Sequence, residues 1–134
     1  MNLSIATDRI KFKASIVYNY LNNPINYESI LIDEISEFSM IDEKSFAIKI
    51  GSLPKISLEH NSNVLERTTS LNSINEKLPF VFNFKVNEID ESSCKIEIHF
   101  KGEFSSMMQM MIKSPMNKFI DAISKKVISI NFSK

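Results

Sequence analysis

Two histidines, one cysteine and a scatter of carboxylates are the residues whose types could carry chemistry in this chain. His60 stands in His60-Asn61-Ser62-Asn63, a run of turn formers, and His99 falls on the polar side of an alternating stretch. A metal centre gathers several His, Cys or carboxylate ligands, and neither histidine has such company, so no metal site is expected. Cys94 falls on the apolar side of the same stretch, where a thiol behaves as a small hydrophobe. No histidine or cation is evident beside it to draw its pKa down, as a nucleophile requires. Asp33, Glu34, Glu37, Asp42 and Glu43 are dispersed, a pattern that suits a solvated sheet edge and turn better than a paired general acid and base. Two glycines cannot build a phosphate-cradling loop. These residues therefore assign no catalytic group and imply no cofactor.

What remains is apolar. The chain has seven methionines and ten phenylalanines but no tryptophan. Met107, Met110 and Met111 share one face of a helix, Met108 points elsewhere, and Met116 follows. Methionine is unbranched and polarisable, so this cluster is read either as core filling beneath a sheet or as the deformable wall of a cavity. Phe80, Phe82, Phe84 and Phe100 invite the same two readings, solid core or pocket lining. Arg67 is read as outward and solvated; an inward Arg67 would need a carboxylate or a polar ligand head, because an unpaired buried charge is too costly. Tyr18 and Tyr20 serve either as packing residues of a first helix or as hydroxyl donors to a ligand.

The elements that must position these side chains follow from hydrophobic period. Leu3 to Lys11 alternates as a strand, and Ala14 to Leu21 carries Val17, Tyr20 and Leu21 at helical spacing. Asn22-Asn23-Pro24 stops that helix, since proline bars its predecessor from helical geometry, and a second short helix or turn covers Ile25 to Ile30. The period then changes to two. Phe46, Ile48 and Ile50 alternate with Ala47 and Lys49 up to the turn Gly51-Ser52, and Ile56 and Leu58 continue the pattern to a turn at His60 to Asn63. Val64 to Leu71 is a further strand. Phe80, Phe82, Phe84 and Val86 share one face; Cys94, Ile96, Ile98 and Phe100 share another, with Asp90 to Ser93 as the hairpin loop. From Ser106 to about Ile130 the period is helical again. Ser105 or Ser106 caps this helix, and Pro115 inside it predicts a kink near Met111. The apolar stripe of Phe119, Ile120, Ile123, Val127 and Ile128 is the only large cover for the sheet.

The length of 134 residues and a hydrophobic fraction of 43% suit one domain over 1–134. Sixteen basic residues balance sixteen acidic ones, which leaves no electrostatic footprint for nucleic acid. A single cysteine, with neither a signal-like leader nor an apolar run of membrane-span length, points to a cytoplasmic protein that inserts in no membrane.

Three stretches carry a family resemblance. Val17-Tyr18-Asn19-Tyr20-Leu21, followed by Asn26-Tyr27, resembles a first-helix pattern, and Leu78-Pro79-Phe80 opens a long strand in a familiar way. The most specific runs from Gly102-Glu103-Phe104-Ser105-Ser106 through the methionines to Pro115, and then to Phe119-Ile120. Together they resemble the START-like superfamily, also called SRPBCC or the birch-pollen-allergen fold, in its small bacterial polyketide cyclase/dehydrase and lipid-transport branch. Ser105-Ser106 replaces the usual Asn-Pro of that junction, and Lys13 stands where a hydroxyl residue normally caps the first helix.

The resemblance implies an α+β helix-grip fold: a curved antiparallel sheet of about seven strands wrapped around a long C-terminal helix, with two short helices after the first strand. It also implies a non-catalytic carrier of a small apolar molecule such as a lipid, quinone or polyketide. The alternatives are a polyketide cyclase or dehydratase, or a protein-interaction module without a ligand. Such a cavity would lie between the helix and the inner sheet face, lined by Phe82, Phe84, Ile98, Phe100, Met107, Met110, Met111, Tyr18 and Arg67.

Overall fold

Alternating apolar residues dictate the two longest strands, and their register shows why they pair. The computed structural model describes residues 1–75 and 78–133. In it β6 (Phe80–Asp90) and β7 (Ser93–Gly102) run antiparallel, with Phe82 opposite Phe100, Phe84 opposite Ile98 and Val86 opposite Ile96. Because side chains alternate across a strand, all six lie on one face, and all six are buried. The other strands extend this face: β1 (Asn2–Ala6), β2 (Glu37–Met40), β3 (Ser45–Lys49), β4 (Ile56–Asn63) and β5 (Thr68–Ser73). The result is one curved, wholly antiparallel seven-stranded sheet in the order β1-β7-β6-β5-β4-β3-β2. The acidic stretch falls where a sheet edge and turn were expected. Glu37 lies in the edge strand β2, and the Asp42 carboxylate accepts the Lys44 and Ser45 amides, both at 2.8 Å.

The strand boundaries differ from the sequence reading at β1, which ends at Ala6 rather than Lys11, and at one hairpin. His60 to Asn63 is not a turn; these residues complete β4 and pair with Leu71 to Thr68 of β5. The turn is Val64 to Arg67, where Arg67 takes a left-handed conformation at φ 49°. Asn and Ser favour turns when nothing else supplies hydrogen bonds. Here the Ser70, Thr69 and Thr68 ladder supplies them, and tertiary pairing overrides composition.

Two short helices, α1 (Ala14–Leu21) and α2 (Tyr27–Leu31), separate β1 from the other strands. Lys13 opens α1 without a side-chain cap, while Ala14, Val17, Tyr18 and Leu21 turn into the core. The carbonyl at the end of α1, on Leu21, accepts hydrogen bonds from Tyr27 Oη at 2.8 Å and His60 Nε2 at 3.2 Å. Burial holds the Tyr27 phenol well above its ordinary pKa and pulls the His60 imidazole below its own. Both groups stay neutral and tie α1 to α2 and β4.

The long helix α3 (Ser106–Lys126) passes through Pro115 without interruption and ends in a 3-10 turn at Val127–Ser129. Ser105 caps it, its hydroxyl accepting from the Met108 amide at 3.2 Å. Lys125 and Lys126 occupy the last turn, where a cation complements the helix dipole, and Lys126 also pairs with Asp33 at 3.2 Å. Ile112, Met116, Phe119, Ile120 and Ile123 form the buried stripe. Phe119 meets Phe82 of β6 with ring centroids 5.8 Å apart, which fixes the helix against the sheet. Among the described residues no helix is long and apolar enough to cross a membrane.

Phe119→Ala should therefore destabilise the fold by about 3–5 kcal/mol, the usual cost of emptying a buried phenylalanine site. Urea denaturation followed by circular dichroism measures this; a loss under about 1 kcal/mol would show that α3 is not clamped at this ring.

Candidate functional site

An apolar cavity of about 260 Å³ opens where the first turns of α3 cross the end of the sheet. Four segments build it. The β3–β4 turn gives Ser52, Leu53 and Pro54, with Ile56 beyond, and Gly51 makes this turn possible by adopting φ +51°. Leu78 and Phe80 come from the start of β6, and Phe100 and Phe104 from the end of β7 and just after it. From α3 come Met108, Met111, Ile112, Pro115 and Met116.

The aromatic wall is continuous. Phe80 lies 5.4 Å from Phe100 and 5.6 Å from Phe82, and Phe104 lies nearly parallel to Phe100 at 8° with centroids 6.2 Å apart. Gly102 sets this last position: a Cβ there would stand 2.5 Å from the Phe104 ring and 3.0 Å from Phe80 Cβ. The ring therefore rests where any other residue would place its side chain.

Among the described residues, no lining side chain is titratable, and the Ser52 hydroxyl is the only polar side-chain group on the wall. The cavity can hold a molecule by excluding water and by dispersion contact. Its described lining provides no acid, base or cation with which to move a proton.

Of the residues expected to line a cavity, Phe100 and Met111 do so here. Phe82 and Phe84 sit deeper, around a void of about 10 Å³ shared with Leu31, Phe119 and Ile123, no larger than one water site. Ile98 is fully buried in the sheet core, and Tyr18 is buried in α1 with its hydroxyl unpartnered. Arg67 lies at the β4–β5 turn, half-exposed, 3.7 Å from Glu88. Met107 and Met110 face solvent, 75% and 83% exposed.

Leu53, Pro54, Ile56, Leu78, Phe104, Ile112 and Pro115 went unread as lining, while Met108 and Met116 belonged to the methionine cluster with its two readings but not to the expected lining. A signal existed for three of them. Stepping back by four from Ile120 along the buried stripe gives Met116, Ile112 and Met108, so the helix phase itself turns Met108 inward. The loop and strand contributors carry no such signal, because their convergence is tertiary.

The other chemically suggestive residues lie apart from the cavity lining. His99 is exposed, 3.8 Å from Glu97. Cys94 is fully buried, paired through its backbone with Ile10, and burial pushes its thiol up to about 11. Among the described residues, no three His, Cys, Asp or Glu side chains are placed to hold a metal.

No family model matches this chain, and no curated protein does. Solved structures do. Norcoclaurine synthase of Thalictrum flavum, a point mutant in complex with a transition state analogue, superposes with a TM-score of 0.71 at 12% identity, covering 96% of this chain and 94% of the other. An aromatase/cyclase from Streptomyces sp. R1128 gives 0.76 at 8%, covering 96% and 91%. A START superfamily protein from Mycobacterium smegmatis gives 0.75 at 9%, covering 95% and 94%. At such identities the likeness speaks for the fold. The chain has the START-like, helix-grip fold.

Two outcomes follow from this geometry. Gly102→Ala should cost about 1–3 kcal/mol through overpacking against Phe104. In a Phe104→Ala background the cost should fall, leaving only the 3.0 Å approach to Phe80 Cβ; equal costs in both backgrounds, read from denaturation midpoints, would refute the contact. Cys94 in the native protein should resist thiol reagents at neutral pH and react only on unfolding, since its thiolate is scarce and inaccessible. Rapid stoichiometric labelling of the folded chain would contradict that burial.

Proposed function

We propose that the chain, acting as one domain, binds a small apolar molecule in this cavity without transforming it, as a carrier or sequestering module. The observation that carries the reading is the lining: aromatic, aliphatic and thioether groups with a single hydroxyl. The volume of about 260 Å³ lies just below the usual ~300–1,000 Å³ of ligand sites. A compact ligand would fit inside, and a chain-like one, such as a lipid, quinone or polyketide, would project through the mouth between α3 and the β3–β4 turn. The structural neighbours, a norcoclaurine synthase in complex with a transition state analogue and an aromatase/cyclase among them, support a ligand-holding use of the fold.

A cyclase-like enzyme is the second reading, favoured by the aromatase/cyclase neighbour. Against it stands a lining that, among the described residues, has no acid or base to drive enolisation or dehydration.

A neutral apolar fluorophore such as N-phenylnaphthylamine should bind the native protein at one site, with a blue-shifted and brightened emission. Met111→Glu, which places a carboxylate at the mouth on a side chain exposed enough to tolerate it, should weaken binding by about tenfold or more while leaving a native circular dichroism spectrum. Absence of saturable binding to the wild type, or unchanged binding to the variant, would sink the carrier reading.

A further inference from the structure

We propose that Met111 is a modification site, at which a peroxide-class oxidant forms the sulfoxide and so closes the mouth of the cavity to apolar ligands. The inference rests on the cavity being the binding site. Five of the chain's seven methionines fall between positions 107 and 116, and the fold sorts them by exposure and by role. Met107 and Met110 are exposed at 75% and 83% but do not line the cavity. Met116 lines it at depth, 3% exposed. Met108, partly buried, lies between these extremes. Met111 alone combines high exposure, 62%, with a place on the cavity wall.

The chemistry balances without a cofactor. The thioether sulfur gives a lone pair to one peroxide oxygen, the O–O bond breaks as the S–O bond forms, and the released oxygen leaves with two protons as water. Sulfur loses two electrons and the peroxide gains them. Susceptibility follows exposure, and the product is a polar, chiral group that dedicated reductases return to the thioether. On the wall of this cavity the sulfoxide oxygen, a strong acceptor, meets a lining whose one side-chain donor among the described residues is the Ser52 hydroxyl. An apolar ligand would have to desolvate that oxygen without replacing its water, which is unfavourable. The same oxygen on Met107 or Met110 stays in water and changes nothing inside.

The test titrates N-phenylnaphthylamine against the full chain before and after limited treatment with hydrogen peroxide, with peptide mass spectrometry locating each sulfoxide. Oxidation should reach Met107, Met110 and Met111 before Met116, and the dissociation constant should rise about tenfold. The ratio of affinities before and after is then read for single leucine variants. Met111→Leu should bring that ratio close to one; Met107→Leu and Met110→Leu should leave it as in the wild type. Enzymatic reduction of the sulfoxides should restore the original affinity. Unchanged binding with Met111 fully oxidised, or an equal loss in Met111→Leu, overturns the inference while the cavity reading stands. No saturable binding to the untreated wild type overturns both.

Discussion

The contact between the stripe of α3 and the concave face of the sheet is the constraint on which the rest depends. A single antiparallel sheet with one apolar face has no stable state until that face is covered, and α1 with α2 is too short to cover it alone. Phe119 is the side chain that closes the gap from the helix side, meeting Phe82, which in turn meets Phe100 at 4.9 Å. From this chain of rings outward everything else is placed. The helix cannot slide along the sheet without pulling Phe119 from its site, so the position of its first turns, and hence of Met108, Met111 and Ile112, is fixed from Phe119 onward.

The polar groups inside the fold serve the same end. Leu21 ends α1 in the interior, where a free carbonyl would be costly. Tyr27 and His60 both donate to it, and Asn22 at the next position accepts from the Thr69 hydroxyl at 2.8 Å. Three separate elements thus converge on one helix end. That explains why the chain's single buried histidine carries no catalytic geometry: its proton is committed to a backbone carbonyl, and burial keeps the imidazole neutral. Lowering the pH through its ordinary range would charge it in the unfolded chain first, so this tie favours the folded state above that range and loses value below it.

Much of the fold was legible in sequence because it depends on period. The alternation in Phe80–Val86 and Cys94–Phe100 and the apolar stripe of Phe119, Ile120 and Ile123 each specify an element and the face it buries. The hairpin at His60 misled because Asn and Ser report turn propensity, whereas the ladder to Thr68, Thr69 and Ser70 is a long-range fact. The site was legible only where a period reached it. Phe100 follows from strand alternation; Met108, read as pointing away from the other methionines, lies on the phase of the buried stripe and could have been found from it. Leu53, Pro54 and Leu78 arrive from loops whose meeting point no local pattern encodes. Met107 and Met110 show the converse: helical spacing groups them with Met111, but grouping on a helix does not say which side of the boundary between cavity and solvent each member faces.

The cavity's position also has a physical cause. Along α3 the inward residues change from Phe119, Ile120 and Ile123 toward the C-terminal half to Met108, Ile112 and Met116 at the start. A ring and branched chains fill the wide part of the concave sheet and leave only a void of about 10 Å³. At the other end the helix side offers two unbranched thioethers and one isoleucine, facing a wall of Phe80, Phe100 and Phe104 held back by the absence of a side chain at Gly102. Pro115 has no amide to donate to the Met111 carbonyl, so one helical hydrogen bond is missing beside the cavity. Flat rings on one wall and flexible chains on the other do not interdigitate as branched aliphatics would, so space remains that close packing has removed elsewhere in the molecule. The opening is thus a consequence of which apolar side chains were placed at one end of the clamp, and methionine is the residue there that can adjust to an occupant without moving the backbone.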